Sequence, residues 1–369
     1  MSEWIDELEY EDGRLIGAKP HIVQANIKDG ITSIAESAFS NCLYLVSVTI
    51  PNSVISINDK AFKGCKRLVS VTISDSLISI GNSAFEDCER LVSFTLPNSL
   101  TCIGDNAFKG CKRLVSVTIP DSVADIGDSA FSDCHSLASV RIPNGIVSIG
   151  ESTFACCYNL TSVALPDSLI RIGETAFYQC GSLTSIVIPN NVIIIDSGAF
   201  YECFRVESVI IPNSVTTIRE HAFDGCVSLR SVTIPNSIIT IEDSAFKNCG
   251  IESVEIPDSV TSIEWRAFSE CNKLKSVVIP NSVTTIKSWA FSECSSLESI
   301  VISNSVTEID CGTFTNCCNL KSVTIPNSVA KIWRNAFEGC AGLASVVIRS
   351  STTEVDEEAF PSTAIITRE

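Results

Sequence analysis

Apolar residues recur along most of this chain at spacings that change within each short segment. In one such segment, Leu45, Val48 and Ile50 come first, and the last two are separated by one outward-facing residue. That alternation is the side-chain period of a β-strand, so Val48 and Ile50 are expected to point inward. Val54 and Ile57 follow with a wider spacing, which indicates an extended or irregular return segment.

The segment then ends in a polar break followed by a compact apolar group. Ala61, Phe62 and Cys65 have the spacing of one helical turn, and the pattern predicts a one-turn helix of the 3₁₀ type. Pro51 lies between the strand and the return segment, where its missing N–H and fixed φ suit a corner.

This segment is one unit of a repeat. The stretch AFKGCKRLVSVTI stands at 61–73 and again, unchanged, at 107–119, with AFEDCERLVSFTL halfway between them at 84–96. The period is therefore 23 residues, and fifteen turns can be counted from one recurring phenylalanine. The phenylalanine column comprises Phe39, Phe62, Phe85, Phe108, Phe131, Phe154, Phe177, Phe200, Phe223, Phe246, Phe268, Phe291, Phe314, Phe337 and Phe360.

The consensus A-F-x-x-C-x-x-L-x-S-V-x-I-P-N-S-V-x-x-I contains the L-x-x-L-x-L signature of leucine-rich repeats. The pattern closely resembles the BspA-like subclass of leucine-rich repeats over about 22–360. The resemblance implies an α/β-type repeat solenoid. It would be a right-handed superhelix with a concave parallel β-sheet and short 3₁₀ or irregular segments on its convex side.

Segments outside the repeats are interpreted as caps, because a solenoid exposes its core at both ends. Residues 1–21 are predicted to form an N-terminal cap with a β-hairpin around Asp12-Gly13, and 361–369 a C-terminal cap. Three turns lack the corner proline and have Ser74, Ser303 or Arg349 instead. One turn has lost a residue after Cys249, so the sequence predicts a local kink there.

Composition and charge narrow the possible partners. The 369-residue chain is 45% apolar and carries a net charge of −17, which argues against a nucleic-acid or anionic-membrane partner. No run approaches the length of a membrane span, and the acidic residues 1–12 lack the apolar core of a signal peptide. The sequence by itself therefore indicates a cytoplasmic location, whereas the resemblance implies a surface or secreted protein.

Cysteines are abundant, yet their spacing does not suggest a disulfide framework. Fourteen of the eighteen repeat with the phenylalanines, which marks a core position occupied by reduced, buried thiols. This column comprises Cys42, Cys65, Cys88, Cys111, Cys134, Cys157, Cys180, Cys203, Cys226, Cys249, Cys271, Cys294, Cys317 and Cys340. Reduced thiols favour a reducing or anaerobic setting.

Catalytic and metal-binding patterns are missing from the sequence. The histidines at 21, 135 and 221 lie far apart, the cysteines lack paired C-x-x-C knuckles, and no phosphate-binding glycine motif occurs. We therefore expect no catalytic residues, no metal site and no cofactor. Lysines and arginines of the copied stretch, such as Lys63 and Lys66, flank acidic residues and are interpreted as a self-neutralising surface ladder.

The outward positions of the strands are the first candidate binding surface. One outward column is serine in fourteen strands, which suits either a tightly curved face or direct ligand contact. The other varies, with the apolar stretch Ala164, Val187 and Ile210 between Arg141 and Glu255. Exposed apolar strips mark interaction sites, although β-branched residues also reflect strand propensity. We take Arg141, Ala164, Val187, Ile210 and Glu255 as candidate binding residues.

Aromatic residues form a second candidate surface. Tyr158, Tyr178, Tyr201 and Phe204 fall in three consecutive repeats near the A-F-x-x-C segment and are expected to line one edge. Aromatic side chains are favoured interface anchors, although partial packing over loop backbone is the alternative interpretation.

Taken together, the sequence predicts a monomeric, non-enzymatic scaffold that binds a protein ligand, such as a host or cell-surface protein. Members of the family that it resembles include adhesins, which implies an adhesin-like role here. A structural spacer, or a repeat array that associates with itself, is one alternative, and glycan binding is another.

Overall fold

A computed structural model describes residues 3–73 and 75–369, apart from the Trp4 side chain, and the corner at Ser74 thus lies outside the described residues. The chain divides into two compact units, unit 1 (1–183) and unit 2 (184–369). Each unit is a stack of short β-strands and turns, with strands numbered β1–β34 in chain order.

The chain begins with an antiparallel meander of β1 (Glu3–Ile5), β2 (Leu8–Glu11) and β3 (Arg14–Ala18). The turn between β2 and β3 is Asp12-Gly13, and both residues have positive φ, 47° and 74°. An Asp-Gly pair adopts this backbone readily, which is why it joins two adjacent strands. Strand β3 then pairs in parallel with β5, the first strand of the second strand row described below.

The first strand row consists of one strand per repeat at the S-V-x position. In unit 1 it comprises β4 (Gln24–Asn26), β6 (Ser47–Thr49), β8 (Ser70–Thr72), β10 (Ser93–Thr95), β12 (Ser116–Thr118), β14 (Ser139–Arg141) and β16 (Ser162–Ala164). In unit 2 it comprises β18 (Ser185–Val187), β20 (Ser208–Ile210), β22 (Ser231–Thr233), β24 (Ser253–Glu255), β26 (Ser276–Val278), β28 (Ser299–Val301), β30 (Ser322–Ile325), β32 (Ser345–Ile348) and β34 (Ile365–Arg368).

The second strand row is formed by two-residue strands in the return segment of each repeat. In unit 1 these are β5 (Ser33–Ile34), β7 (Ser56–Ile57), β9 (Ser79–Ile80), β11 (Cys102–Ile103), β13 (Asp125–Ile126), β15 (Ser148–Ile149) and β17 (Arg171–Ile172). In unit 2 these are β19 (Ile194–Ile195), β21 (Thr217–Ile218), β23 (Thr240–Ile241), β25 (Ser262–Ile263), β27 (Thr285–Ile286), β29 (Glu308–Ile309), β31 (Lys331–Ile332) and β33 (Glu354–Val355).

Most neighbouring strands of a row pair in parallel and in the register of the repeat, and each row is divided into short sheets, such as β18–β20–β22–β24 and β26–β28 in the first row of unit 2. Ser47 is the partner of Ser70 in the first row, and Ile57 is the partner of Ile80 in the second. The strands stay short because a corner follows each one. At Pro51, which cannot donate a ladder hydrogen bond, the Val54 N–H closes the corner by donating to the proline carbonyl at 3.1 Å.

The A-F-x-x-C segment is a ladder of turns, and the predicted 3₁₀ helix is wrong. Residues before the alanine and before the cysteine have positive φ, as at Lys60 (56°) and Gly64 (73°), whereas a 3₁₀ helix needs negative φ throughout. The N–H groups of Lys60 and Phe62 therefore point to the next repeat, where they donate to backbone carbonyls at 2.7–2.8 Å.

The turns and strands together make each unit a β-solenoid of stacked repeats. No helix of any kind occurs among residues 3–73 and 75–369, so the α/β description is also wrong. The right-handed winding and the concave position of the sheet stay predictions.

Inside each unit the core is a column of parallel phenylalanine rings. Successive rings lie between 4.8 Å (Phe39 to Phe62) and 5.7 Å (Phe291 to Phe314) apart. Their planes are nearly parallel, tilted by 2° between Phe108 and Phe131. Each repeat thus buries its ring against its neighbours, and burial of large aromatic side chains is a dominant source of core stability.

The shortened repeat keeps the register of the strands. Thr233 on β22 is the partner of Glu255 on β24, and the rings of Phe246 and Phe268 stack at 5.5 Å. The lost residue is taken up in the turn at Gly250, where a Cβ atom would lie 2.3 Å from the Val227 carbonyl oxygen. The predicted kink is therefore not seen in the strand pairing or in the ring stack.

Candidate binding surface on the first strand row

The third position of the first-row strands points away from the core, and in several strands of unit 2 it carries a large aliphatic side chain. Val187 and Ile210 are direct cross-strand partners on β18 and β20, and they are 78% and 74% exposed. The residues that precede them on these strands, Ile186 and Val209, are buried and point to the core. Register therefore fixes two large apolar side chains side by side in solvent.

The same column carries a second apolar pair that the candidate list from sequence did not include. Val278 and Val301 are cross-strand partners on β26 and β28 and are 60% and 57% exposed. The signal was present in the sequence, because both residues occupy the same repeat position as Val187. We call Val187, Ile210, Thr233, Glu255, Val278 and Val301 the unit 2 strand face.

Between the two apolar pairs lies an open pocket of about 480 Å³. Its lining includes the hydroxyls of Ser231, Thr233 and Ser253 and the carboxylates of Glu255 and Asp258. Both carboxylates belong to the shortened repeat. The pocket is therefore polar and acidic, and its neighbours along the unit 2 strand face are apolar.

A charged row runs beside the strand face, at the residue before each conserved serine. In unit 2 this row alternates in sign, which the sequence analysis did not notice. Its members are Glu207, Arg230, Glu252, Lys275, Glu298 and Lys321. Successive members are adjacent in the stack, because each backbone N–H donates to the carbonyl of the member before it, at 2.9–3.4 Å. Because the signs alternate, the side chains of this row together carry no net charge.

The two remaining candidates of the variable column lie in unit 1. Arg141 on β14 and Ala164 on β16 are cross-strand partners, and the Arg141 guanidinium pairs with Asp121 at 2.7 Å. The side chain of Arg141 is thus already engaged with a carboxylate of its own unit. Threonines fill the rest of this column from β6 to β12, so unit 1 presents a hydroxyl-rich face.

The aromatic candidates are divided between the units. In unit 1, the Tyr158 ring lies 4.8 Å from the His135 ring, and its hydroxyl donates to Gln179 at 3.4 Å. Its hydrogen bond with Cys156 is the main reason that the pKa of Tyr158 is raised to about 12. Tyr178, also in unit 1, is half-buried.

In unit 2, Tyr201 lies 6.1 Å from the His221 ring, and Phe204 is exposed. Tyr158 and Tyr201 contact loop residues, and none of the four aromatic candidates is as exposed as the aliphatic pairs of the unit 2 strand face. We therefore regard the strand face as the stronger candidate surface.

The copied stretch that opens the repeat pattern carries ion pairs between repeats. Lys63 pairs with Glu86 at 2.8 Å, and Lys66 and Lys112 both reach Glu89, at 3.1 and 3.5 Å. These basic residues are thus neutralised within unit 1, as the sequence pattern indicated.

Thiols in the cysteine column are free and buried, which confirms the interpretation of this column as core. Burial raises the pKa of the Cys226 thiol to about 12, so the thiol is neutral at physiological pH. In the described part of the chain, no group of three or more His, Cys, Asp or Glu residues is placed to hold a metal ion. That part also contains no helix that is both long and apolar enough to cross a membrane.

Comparison with known families identifies the class of protein. The chain matches the family described as BspA type Leucine rich repeat region (6 copies) over 18–138, 124–252 and 239–367. Because these matches cover most of its length, the chain belongs to the BspA-type leucine-rich repeat family. Proteins of this kind are repeat scaffolds and are generally not enzymes.

Two solved structures support this assignment along the whole chain. A leucine-rich repeat protein from Bacteroides ovatus is 27% identical, with a TM-score of 0.76, and the match covers 100% of this chain and 99% of that one. A leucine rich cell surface protein from Faecalibacterium prausnitzii is also 27% identical, with a TM-score of 0.50 and coverage of 100% and 94%. A search of curated proteins finds no match to this chain.

Proposed function

We propose that this protein is a non-enzymatic, adhesin-like scaffold that binds another protein through the unit 2 strand face. The observation that carries the proposal is the exposure of four large aliphatic side chains, Val187, Ile210, Val278 and Val301, in one strand register. Exposed apolar patches of this kind are typical of interaction sites. The family supports a scaffold role, and the similar protein from F. prausnitzii is described as a cell surface protein.

Strand propensity does not account for these side chains. Thr233 and Thr324 occupy the same column on β22 and β30, and threonine is also a β-branched strand former. The fold thus accepts a hydroxyl where four repeats place a larger apolar group. A stable protein has no need of valine or isoleucine in solvent at these positions, which favours a binding role.

The scaffold also favours affinity. The strand backbone is held by parallel pairing, so the unit 2 strand face is ordered before any partner arrives. Binding to an ordered surface avoids most of the entropy loss that a flexible loop would incur. We place the protein at the cell surface or outside the cell, where an adhesin-like scaffold meets its partner.

The proposal is tested by capture of purified extracellular-matrix and serum proteins on a biosensor. The test variant carries Val187→Thr, Ile210→Thr, Val278→Thr and Val301→Thr, each of which introduces the residue native to this column in other repeats. The control variant carries Val147→Thr and Ile239→Thr, which remove exposed aliphatic groups from a column where Thr101 and Thr261 are native.

We expect the chain to bind at least one protein of the panel and the test variant to lose about tenfold or more in affinity. That loss corresponds to about 1.4 kcal/mol, which is a modest share of the free energy gained when four aliphatic side chains are buried. The control variant should bind normally. Equal binding by the test variant would contradict the assignment of the strand face, and no binding to any panel member would contradict the adhesin-like role.

Self-association is a second candidate, favoured by one observation. Strand β34 pairs with β32 and with no other described strand, and its residues Ile365 and Ile366 are 70% and 45% exposed. An exposed strand edge with apolar side chains is a template for pairing with another chain. Sedimentation at increasing concentration distinguishes the two, because the monomeric scaffold that we propose keeps a constant mass.

A further inference from the structure

We propose that the unit 2 strand face recognises a segment of another protein that presents one lysine or arginine between two apolar groups. This inference rests on the proposed function and specifies the chemistry of the partner. Its basis is the order of side chains along the face: an apolar pair, then Thr233 and Glu255, then a second apolar pair.

Spacing along the face defines what can bind there. Adjacent strands in a sheet are about 4.8 Å apart, so the centre of each apolar pair lies about 10 Å from the centre of the pocket. A segment in the polyproline II conformation advances about 3.1 Å per residue and has three residues per turn, so residues three positions apart face the same side and span about the same distance. A matching segment has a cationic residue with apolar residues three positions away on both sides.

The pocket carries negative charge that the protein does not neutralise itself. Glu255 is the only acidic residue in the outward column of the whole chain, and Asp258 is the only aspartate at its corner position in unit 2. Both side chains are exposed, and neither makes a salt bridge within the described part of unit 2. In contrast, Arg141 of unit 1 already has a partner in Asp121.

The surroundings do not cancel this charge. Glu207, Arg230, Glu252, Lys275, Glu298 and Lys321 alternate in sign beside the face, and their charges sum to zero. This row therefore does not neutralise the carboxylate of Glu255 on the unit 2 strand face or that of Asp258 at the corner beside it. Glu255 and Asp258 belong to the same repeat and both line the pocket of about 480 Å³. This pair of acids distinguishes the repeat from its neighbours.

A cationic side chain satisfies these groups better than a neutral one. A guanidinium or ammonium group forms charge-assisted hydrogen bonds with carboxylates, and the serine and threonine hydroxyls of the pocket accept further donors. The flanking aliphatic pairs bury apolar side chains of the same segment and exclude water from the ion pair. Contacts of this kind around a central anchor raise its contribution to affinity.

The experiment uses immobilised synthetic peptides with the spacing derived above. Each has an apolar residue three positions before and three positions after a central residue, which is arginine, serine or glutamate. The test variant carries Glu255→Thr and Asp258→Asn, which introduce the residues found at the same positions of the preceding repeat, Thr233 and Asn236. The control carries Glu220→Gln and Glu293→Gln, which remove the same charge from exposed positions outside the pocket.

We expect the unmodified chain and the control to bind the arginine peptide about tenfold more tightly than the serine peptide, and the glutamate peptide least. The test variant should bind the arginine and serine peptides equally. Raising the ionic strength should weaken only the binding of the arginine peptide to the unmodified chain and the control, because salt screens the ion pair.

Two results would overturn the inference and leave the proposed function standing. The first is that the Glu255→Thr/Asp258→Asn variant still prefers the arginine peptide as strongly as the unmodified chain does. The second is that the unmodified chain binds none of the peptides, although it captures a panel protein through the strand face. If both the quadruple threonine variant and the Glu255→Thr/Asp258→Asn variant captured the panel protein as well as the unmodified chain, the proposed function would be contradicted instead.

Discussion

The thiol of Cys65 donates a hydrogen bond to the carbonyl oxygen of Phe39 in the preceding repeat, with an Sγ–O distance of 3.1 Å. The same carbonyl accepts the N–H of Cys42 at 3.0 Å. A carbonyl oxygen has two lone pairs, and a buried one is stabilised when both are used. This arrangement explains why the column contains cysteine, which is small and apolar and still carries a donor.

Equivalent bonds recur in the other repeats of each unit, for instance from Cys111 to Phe85 and from Cys226 to Phe200, both at 3.3 Å. A thiol can donate only while it is protonated. The cysteine column therefore couples the stability of the core to pH in the alkaline range.

The first prediction concerns Cys226. Its pKa is raised by burial from 9.0 to about 12, so folding favours the neutral thiol. Its contribution to stability is fully present below pH 9.0, where the unfolded thiol is also protonated. The contribution is lost as the pH rises towards about 12, because unfolding then releases a proton. We expect the free energy of unfolding to fall with pH in this range, by on the order of 1 kcal/mol per pH unit for this thiol.

The measurement is urea unfolding at several pH values for the unmodified chain and two variants. Cys226→Ala should reduce the alkaline slope by the amount given above, whereas Val147→Thr, which changes an exposed side chain that does not ionise, should leave it unchanged. A slope that is the same in all three proteins would show that folding does not favour the neutral form of the Cys226 thiol.

The second prediction concerns the ring stack. Phe131 is fully buried between Phe108 and Phe154, with ring centroids at 5.3 and 5.6 Å. Phe131→Ala should destabilise the protein by about 3–5 kcal/mol, because it opens a cavity in the stack. Tyr44→Ala removes a 55% exposed ring in the same unit and should have an effect within about 0.5 kcal/mol. Thermal melting followed by circular dichroism distinguishes these outcomes, and similar melting of both variants would remove Phe131 from the core.

The third prediction concerns the shortened repeat. Gly250→Ala should destabilise by about 1–3 kcal/mol, because the new Cβ would lie 2.3 Å from the Val227 carbonyl oxygen. Gly145→Ala is the matched control, since its Cβ would find its nearest atom at 3.4 Å, and it should be neutral or slightly stabilising. Denaturant midpoints provide the comparison. A Gly250→Ala protein as stable as the control would mean that the turn adjusts freely.

The fourth prediction concerns the two apolar pairs. Val187→Thr with Ile210→Thr, and Val278→Thr with Val301→Thr, should each weaken capture of the same partner, and the losses in binding free energy should add. Additivity is expected because the pairs are separated by two strands and share no contact. Affinities of the two double variants and of the quadruple variant test this. If one pair alone carried the whole loss, the partner would occupy only half of the face.

Much of the fold could be predicted from sequence because the repeat imposes it. The 23-residue period fixes the register, and the columns of Phe62 and Cys65 identify the core without any structural information. The helix prediction failed because the residues before Ala61 and Cys65 adopt positive φ. Most residues at these positions are not glycine, and their local propensity does not indicate positive φ. Hydrogen bonds between repeats impose this backbone conformation instead.

The candidate surface was only partly predictable. Outward positions such as Val187 follow from strand alternation, and their exposure is confirmed. The pocket beside Glu255 was not foreseen, because it depends on how two strands and the corner at Asp258 lie together. Nor does a one-dimensional pattern show that Arg141 is engaged by Asp121, which is 20 residues away along the chain.

Photo-cross-linking of a captured partner shows whether the partner lies on the unit 2 strand face. A photo-reactive phenylalanine derivative would replace Ile210 on the unit 2 strand face in one protein and Ile239, which is 55% exposed in the neighbouring return segment, in another. We expect a covalent adduct with the partner from position 210 and none from position 239. Cross-linking from position 239 alone would contradict binding at the unit 2 strand face.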